Sequence, residues 1–180
     1  LVAYNWGQVA SGTTFSALAK PEVVTLAGGV SDDVLTDAIA QAGYALFAND
    51  EAVDVALLMM GGVSSVTSVY AINNVAEVRK DCIVFMSPAL TDVLNSAGVE
   101  ADKIIALRNT LPSTSYAHMD TGWKYQYDRY NDVYRWIPLN GDVAGVYART
   151  DQTNDPWWSG AGFNRGQIKN VVKLAYSPSK

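Results

Sequence analysis

The chain has 180 residues, 49% hydrophobic and 17% charged, with a net charge of −5 and a sequence pI near 4.7. That length and apolar content support one domain with a sizeable core. The acidic balance argues against a nucleic-acid binder, which would carry a basic patch. A single cysteine, Cys82, excludes an intrachain disulfide framework.

The apolar run from Val55 to Met60 is too short to span a bilayer, and no basic, then apolar, leader opens the chain. No direct membrane insertion and no signal peptide are therefore expected. The lack of an initiator Met and the ending in Ser-Pro-Ser-Lys predict an excerpt of a longer, intracellularly made polypeptide.

Residues 1–21, with Trp6, a Gly/Ser/Thr patch and Pro21, predict a strand entering a loop. Val23 to Ala27 is apolar and β-branched, a buried strand broken by Gly28-Gly29. Ser31, Asp32 and Asp33 supply a cap and first-turn acids, and Leu35, Ala38, Ile39, Ala42 and Leu46 recur at helical spacing, predicting a helix over 32–48. Val53 to Met60 is a second strand, ending in Gly61-Gly62. Ser64 and Ser65 can cap a helix that closes with Arg79 and Lys80, and Cys82 to Met86 is a third strand stopped by Ser87-Pro88. Over 89–109 one or two short helices follow.

Apolar strands alternating with helices predict an α/β fold: a mixed, mostly parallel sheet with helices on both faces. Beyond this βαβαβ half (22–110), residues 111–180 predict a β-hairpin extension, a helix, a loop and a last strand, all within a single core domain over 1–180. The hairpin is expected to pair Ser113–Met119 with Trp123–Tyr127 across Asp120-Thr121-Gly122. Pro138 is expected to begin a helix through about Arg149. A Gly- and Trp-containing loop fills 151–166, and Ile168 to Tyr176 reads as the final strand.

Gly-Gly-Val-Ser stands at two predicted strand-to-helix junctions, Gly28 to Ser31 and Gly61 to Ser64. Such junctions bind phosphate in doubly wound sheets. Neither has the spacing of a dinucleotide or P-loop motif, and no Lys follows, so a tight structural turn is expected. Gly160 to Gly166 has a GxGxxxG spacing, but it follows Pro156-Trp157-Trp158-Ser159 and does not link a strand to a helix, so no dinucleotide binding is expected there. His118 is the sole histidine, too little for zinc or a nucleophilic triad, and reads as structural. Cys82 reads as a buried small hydrophobe. No catalytic residue, metal or cofactor is expected.

Trp123 to Trp136 stands apart, with six of its fourteen residues aromatic and five charged. Amphipathic aromatics beside complementary charges are the materials of a protein–protein surface. A hairpin covering one edge of the sheet is the plainer alternative.

Several long motifs carry a family resemblance: Leu26-Ala27-Gly28-Gly29-Val30-Ser31, Glu51 to Val55, Arg79 to Val84 with Ser87-Pro88, Trp123 to Leu139, Asp142 to Gly145, Ala148 to Asp151, and Trp157 through Gly162 to Gly166. On these the chain resembles the contractile-tail sheath proteins of T4-like bacteriophages, most strongly over 123–166. The resemblance implies a virion structural subunit, made in the host bacterial cytoplasm, with no active site. Its implied partners are other copies of the subunit, the tail tube protein, and baseplate and tail terminator proteins. Stacked rings would contract to drive the tube through the host envelope. Terminal arms that knit such lattices by β-augmentation are expected to be missing here, leaving a monomeric or weakly associating core.

Lys124, Asp128, Arg129, Asp132, Arg135, Arg149, Asp151, Asn164 and Arg165 are the candidates for polar contacts between or within subunits. Two other readings remain. One is a nucleotide- or cofactor-binding α/β enzyme domain, requiring phosphate contacts at Gly28–Ser31 or Gly61–Ser64. The other is a sheath subunit of a cellular contractile injection system.

Overall fold

The computed structural model describes Thr25, residues 27–29 and residues 34–178. The chain divides into two compact units, 1–33 and 34–180. In the first, Thr25 and residues 27–29 are exposed and Gly28 takes φ +80°. The strand and loop expected over 1–21, most of the strand expected over 23–27, and the capping set Ser31, Asp32 and Asp33 lie outside the described residues.

In the second unit the helix expected over 32–48 is α1, Asp37–Ala45, tightening into a 3₁₀ turn over Leu46–Ala48. Thr36 is its N-cap, its side chain accepting from Ile39 N–H at 3.4 Å. The second expected helix is α2, Ser65–Ala71, capped by Ser64, whose Oγ accepts from Thr67 N–H at 3.3 Å. It widens to a π-helix over Ile72–Ala76, then narrows to α3, Glu77–Arg79. Lys80 ends it in the left-handed region, at φ +62°. Asp37 ties α1 to α2 by accepting from the Ser64 and Thr67 hydroxyls, which hold its carboxyl below the usual range.

Three short strands, β1 (Leu57–Met59), β2 (Ile83–Met86) and β3 (Ala117–Met119), form a parallel sheet in that order. Because strand side chains alternate, the register sends two rows to opposite faces. Leu58 and Val84 enter the main core with Ile72, Val75 and Ala76 of the π-helix. On the other face Phe85 stands beside His118, and its ring centroid lies 5.3 Å from that of Tyr147. Tyr147 belongs to α6 (Asn140–Thr153), so helices cover both faces, as alternating apolar strands and helices predict. Two further helices, α4 (Leu90–Val93) and α5 (Glu100–Thr110), fill the β2–β3 connection.

The hairpin differs from expectation. Residues 117–119 pair parallel with β2 and not with 123–127. The hairpin is instead β4 (Trp123–Asp128) with β5 (Val133–Pro138), antiparallel, with Trp123 opposite Pro138 and Asp128 opposite Val133. The physical reason is that Asp120 does not turn the chain back. Its N–H continues the parallel ladder by donating to Met86 O at 3.0 Å, and its carboxylate accepts from Gly122 N–H at 2.8 Å. Pro138 closes β5, and α6 starts at Asn140 and runs past Arg149 to Thr153. The last strand is the short β6, Lys173–Leu174, on the other side of β4, giving the order β5-β4-β6.

Candidate functional site

In an open parallel sheet the ligand crevice lies at the carboxyl ends of the strands. Here β1, β2 and β3 present Gly61, Ser87 and Asp120 at that edge, and the chain's own Asn140 sits among them. Asn140 Oδ1 accepts from Gly61 N–H at 3.2 Å, and its Nδ2 donates to Gly61 O at 2.7 Å and to Ser87 Oγ at 3.0 Å. Ser87 Oγ also accepts from Asn140 N–H at 3.1 Å and donates to Asp120 Oδ2 at 2.7 Å. One donor and two acceptor sites exhaust a serine hydroxyl. Burial pushes the Asp120 carboxyl up to about 6; hydrogen bonds from Ser87 and Gly122 oppose the rise, and nearby Asp142 adds to it. The Gly61 N–H, which a phosphate would need, is already engaged.

The hairpin separates its aromatics from its charges by strand alternation. Tyr125 stacks on Tyr134 at 5.3 Å and meets Trp136 at 4.9 Å, while Tyr127 lies 5.2 Å from Tyr134. Lys173 of β6 reaches over this row, its Nζ 5.0 Å from the Tyr125 ring and 5.5 Å from Trp136. Lys124 points the other way and is only 4% exposed. Its Nζ bonds Asp142 Oδ1 of α6 at 2.8 Å and Lys169 O at 3.3 Å, joining hairpin, helix and C-terminal segment.

Asp128 organises the hairpin turn. It accepts from Tyr130 N–H at 3.1 Å, Asn131 Nδ2 at 2.7 Å and Arg135 Nε at 3.0 Å. Those bonds, the Asn131 side chain first, hold its carboxyl below the usual range. Asp132 takes the left-handed conformation the turn requires, at φ +54°, and accepts from Tyr127 Oη at 2.6 Å. Arg129 is exposed and lies over Tyr130, 5.0 Å from the ring.

Arg149 reaches from α6 to the carbonyls of Asn164 and Arg165, and Arg165 donates to Ser159 O at 3.1 Å. Asp151 is exposed in the last turn of α6. Of the nine candidate residues, Lys124, Asp128, Arg129, Asp132, Arg135, Arg149 and Arg165 all make contacts within the chain by their side chains, as does Asn164 by its backbone.

His118 packs against Phe85 and Tyr147, with Nδ1 3.4 Å from Tyr147 Oη, and burial lowers its pKa. Cys82 is buried and its thiol is pushed up by the same cause. Among the described residues no group of His, Cys, Asp and Glu could hold a metal ion, and no helix is long and apolar enough to cross a membrane.

No protein-family model matches the chain. Three curated relatives do, each a tail sheath protein. That of Enterobacteria phage T4 is 36% identical over 190 aligned residues, covering 96% of this chain and 27% of the relative. That of Salmonella phage ViI is 35% identical, covering 92% of this chain and 26% of the relative. That of Vibrio phage KVP40 is 46% identical over 127 residues, 63% of this chain and 19% of the relative. The chain belongs to the T4-like tail sheath family. It spans about a quarter or less of the length of these relatives.

In this tail sheath chain the most heavily bonded polar cluster, Gly61–Ser87–Asp120–Asn140, was not legible as a cluster. Ser87-Pro88 read as a strand stop and Asp120 as a turn residue. The one available signal was Asp120 itself, an acid directly after an apolar, strand-like run. The exposed aromatics of the sheath chain's post-α6 loop, Trp157 and Phe163, were also missed, because their exposure depends on loop geometry and not on residue type.

Proposed function

We propose that this chain is a structural, non-enzymatic part of a phage contractile tail sheath subunit, a component of the virion tail synthesised in the bacterial cytoplasm. Subunits polymerise around the tail tube protein, bounded by baseplate and terminator proteins. The sheath then converts from an extended to a contracted lattice and drives the tube through the host envelope. The energy comes from the difference between two packings of the same subunits, a bistability of contacts, and not from bound nucleotide. The observation that carries this reading is agreement with sheath proteins along nearly the whole chain, 92–96% of it for two relatives. Supporting it, the edge where an α/β enzyme would hold a ligand is occupied by Asn140.

Electron microscopy of the full-length protein, alone and with tail tubes, tests the proposal. Hollow tubes or sheathed tubes of uniform diameter are expected. Protein that stays monomeric under both conditions would overturn it.

A further inference from the structure

The exposed apolar side chains among the described residues of the 34–180 unit include two groups on separate elements. The first is the loop after α6, where Phe163 is 95% exposed and Trp157 80%. This loop is fixed from within. Arg165 donates to Ser159 O and Ala161 O, Arg149 holds the Asn164 and Arg165 carbonyls, and the Arg165 guanidinium lies 5.0 Å from the Trp158 ring. Gly166 closes it where a side chain would be crowded, since a Cβ there would stand 3.1 Å from the carbonyl oxygens of Gly160 and Gly162. An aromatic carried on an ordered loop has already lost the freedom that docking would otherwise remove, and that is the condition for a strong anchor.

The second group lies along α1. Leu35 just before the helix, Ile39 within it and Leu46 in the 3₁₀ turn after it are 61%, 57% and 73% exposed, while Ala40 is buried. A groove of about 440 Å³ runs between α1 and the start of α2, with Leu35, Ala40, Gly62 and Val63 in its wall beside the polar Thr36, Asp37 and Ser64; of the three exposed side chains only Leu35 lines it. That volume accommodates an aromatic side chain.

The charges around the two surfaces are opposite. Residues 34–64 contain Asp37, Asp50, Glu51 and Asp54 with no Lys or Arg, whereas 155–178 contain Arg165, Lys169 and Lys173 against Asp155 alone. Because the surfaces differ, their pairing is heterologous: each copy gives its loop to one neighbour and its groove to another, so the contact propagates into rings or helices.

We propose that the Trp157–Phe163 loop of one subunit seats in the α1–α2 groove of the next copy of this chain. This rests on the sheath reading and names one contact of the lattice. The test uses the full-length protein in two single variants, Phe163→Cys and Leu35→Cys, with Cys82 buried and out of reach. Mixed, assembled and oxidised, the two are expected to give a covalent dimer that neither forms alone. Replacing Trp157 and Phe163 together by Ser is expected to raise the protein concentration needed for assembly by at least about tenfold, the effect of losing one interface anchor, with the melting temperature unchanged. Tubes forming at the wild-type concentration, without the mixed dimer, would overturn this contact and leave the sheath reading standing. Failure of the wild-type protein to assemble at all, with or without tail tubes, would sink both.

Discussion

The side-chain amide of Asn140 touches two strand ends at once, accepting from Gly61 N–H and donating to Gly61 O and Ser87 Oγ. Ser87 passes the connection to Asp120, and Asp120 to Gly122 at the start of the hairpin. Every bond made to Asp120 by these partners is donated to it, so the network suits a carboxylate, yet burial raises its pKa to about 6. The folded-state value therefore lies above the unfolded one. The stabilisation from protonating this group is complete below about 3.8, the ordinary value, and is lost as pH rises through about 6. Comparing urea unfolding of wild type and Asp120→Asn checks this. Between pH 7.5 and 5 the wild type should gain stability relative to the variant, by about 1–2 kcal/mol on the linkage relation. A constant difference across that range would mean that Asp120 keeps an ordinary carboxyl pKa.

Lys124 shows how elements, and not single residues, are joined. It sits in β4, its partner Asp142 in the first turn of α6, and Lys169, whose carbonyl it also meets, in the segment leading to β6. Lys124 is buried while the Asp142 side chain stays 25% exposed. The pair resists the loss of one member more than the loss of both, because water only partly compensates the charge left behind. Lys124→Ala should cost about 3 kcal/mol, and Lys124→Met combined with Asp142→Leu should recover most of it. Equilibrium unfolding of the three proteins decides. If the double variant is as unstable as the single, the ion pair is a net stabiliser. The same residue marks a limit of local pattern. The alternation of Trp123 to Tyr127 identified a strand, but the direction in which Lys124 points depends on which neighbour the strand takes. That neighbour is β5, reached through a turn without glycine in which Asp132 supplies the left-handed residue. Helices were legible because caps and spacing are local: Ser64 caps α2, and α1 lies inside the expected 32–48. The parallel placement of β3 depends on contacts with β2, more than thirty residues away, and no turn motif announces it.

At the scale of the whole molecule, the parallel sheet keeps the layout of a nucleotide-binding fold while its carboxyl edge is filled from within. A phosphate arriving at the β1–α2 junction would have to displace Asn140 from Gly61 and leave Ser87 with an unmet acceptor site, a loss of about 1–3 kcal/mol for each buried polar group stranded. Nor is a lysine present between Gly61 and Arg79 to offset the incoming charge. A genuine nucleotide site with a dissociation constant of about 10 μM would stabilise the protein by about 2.7 kcal/mol at 1 mM ligand, which for a domain of this size moves the melting temperature by about 5 °C or more. Thermal unfolding with 1 mM ATP, GTP or NAD, each with magnesium, should shift by less than about 1 °C. A shift of 5 °C with any of them would reveal a phosphate site, either by displacement of Asn140 or at the Gly28–Ser31 junction, and would restore the enzyme reading of this fold.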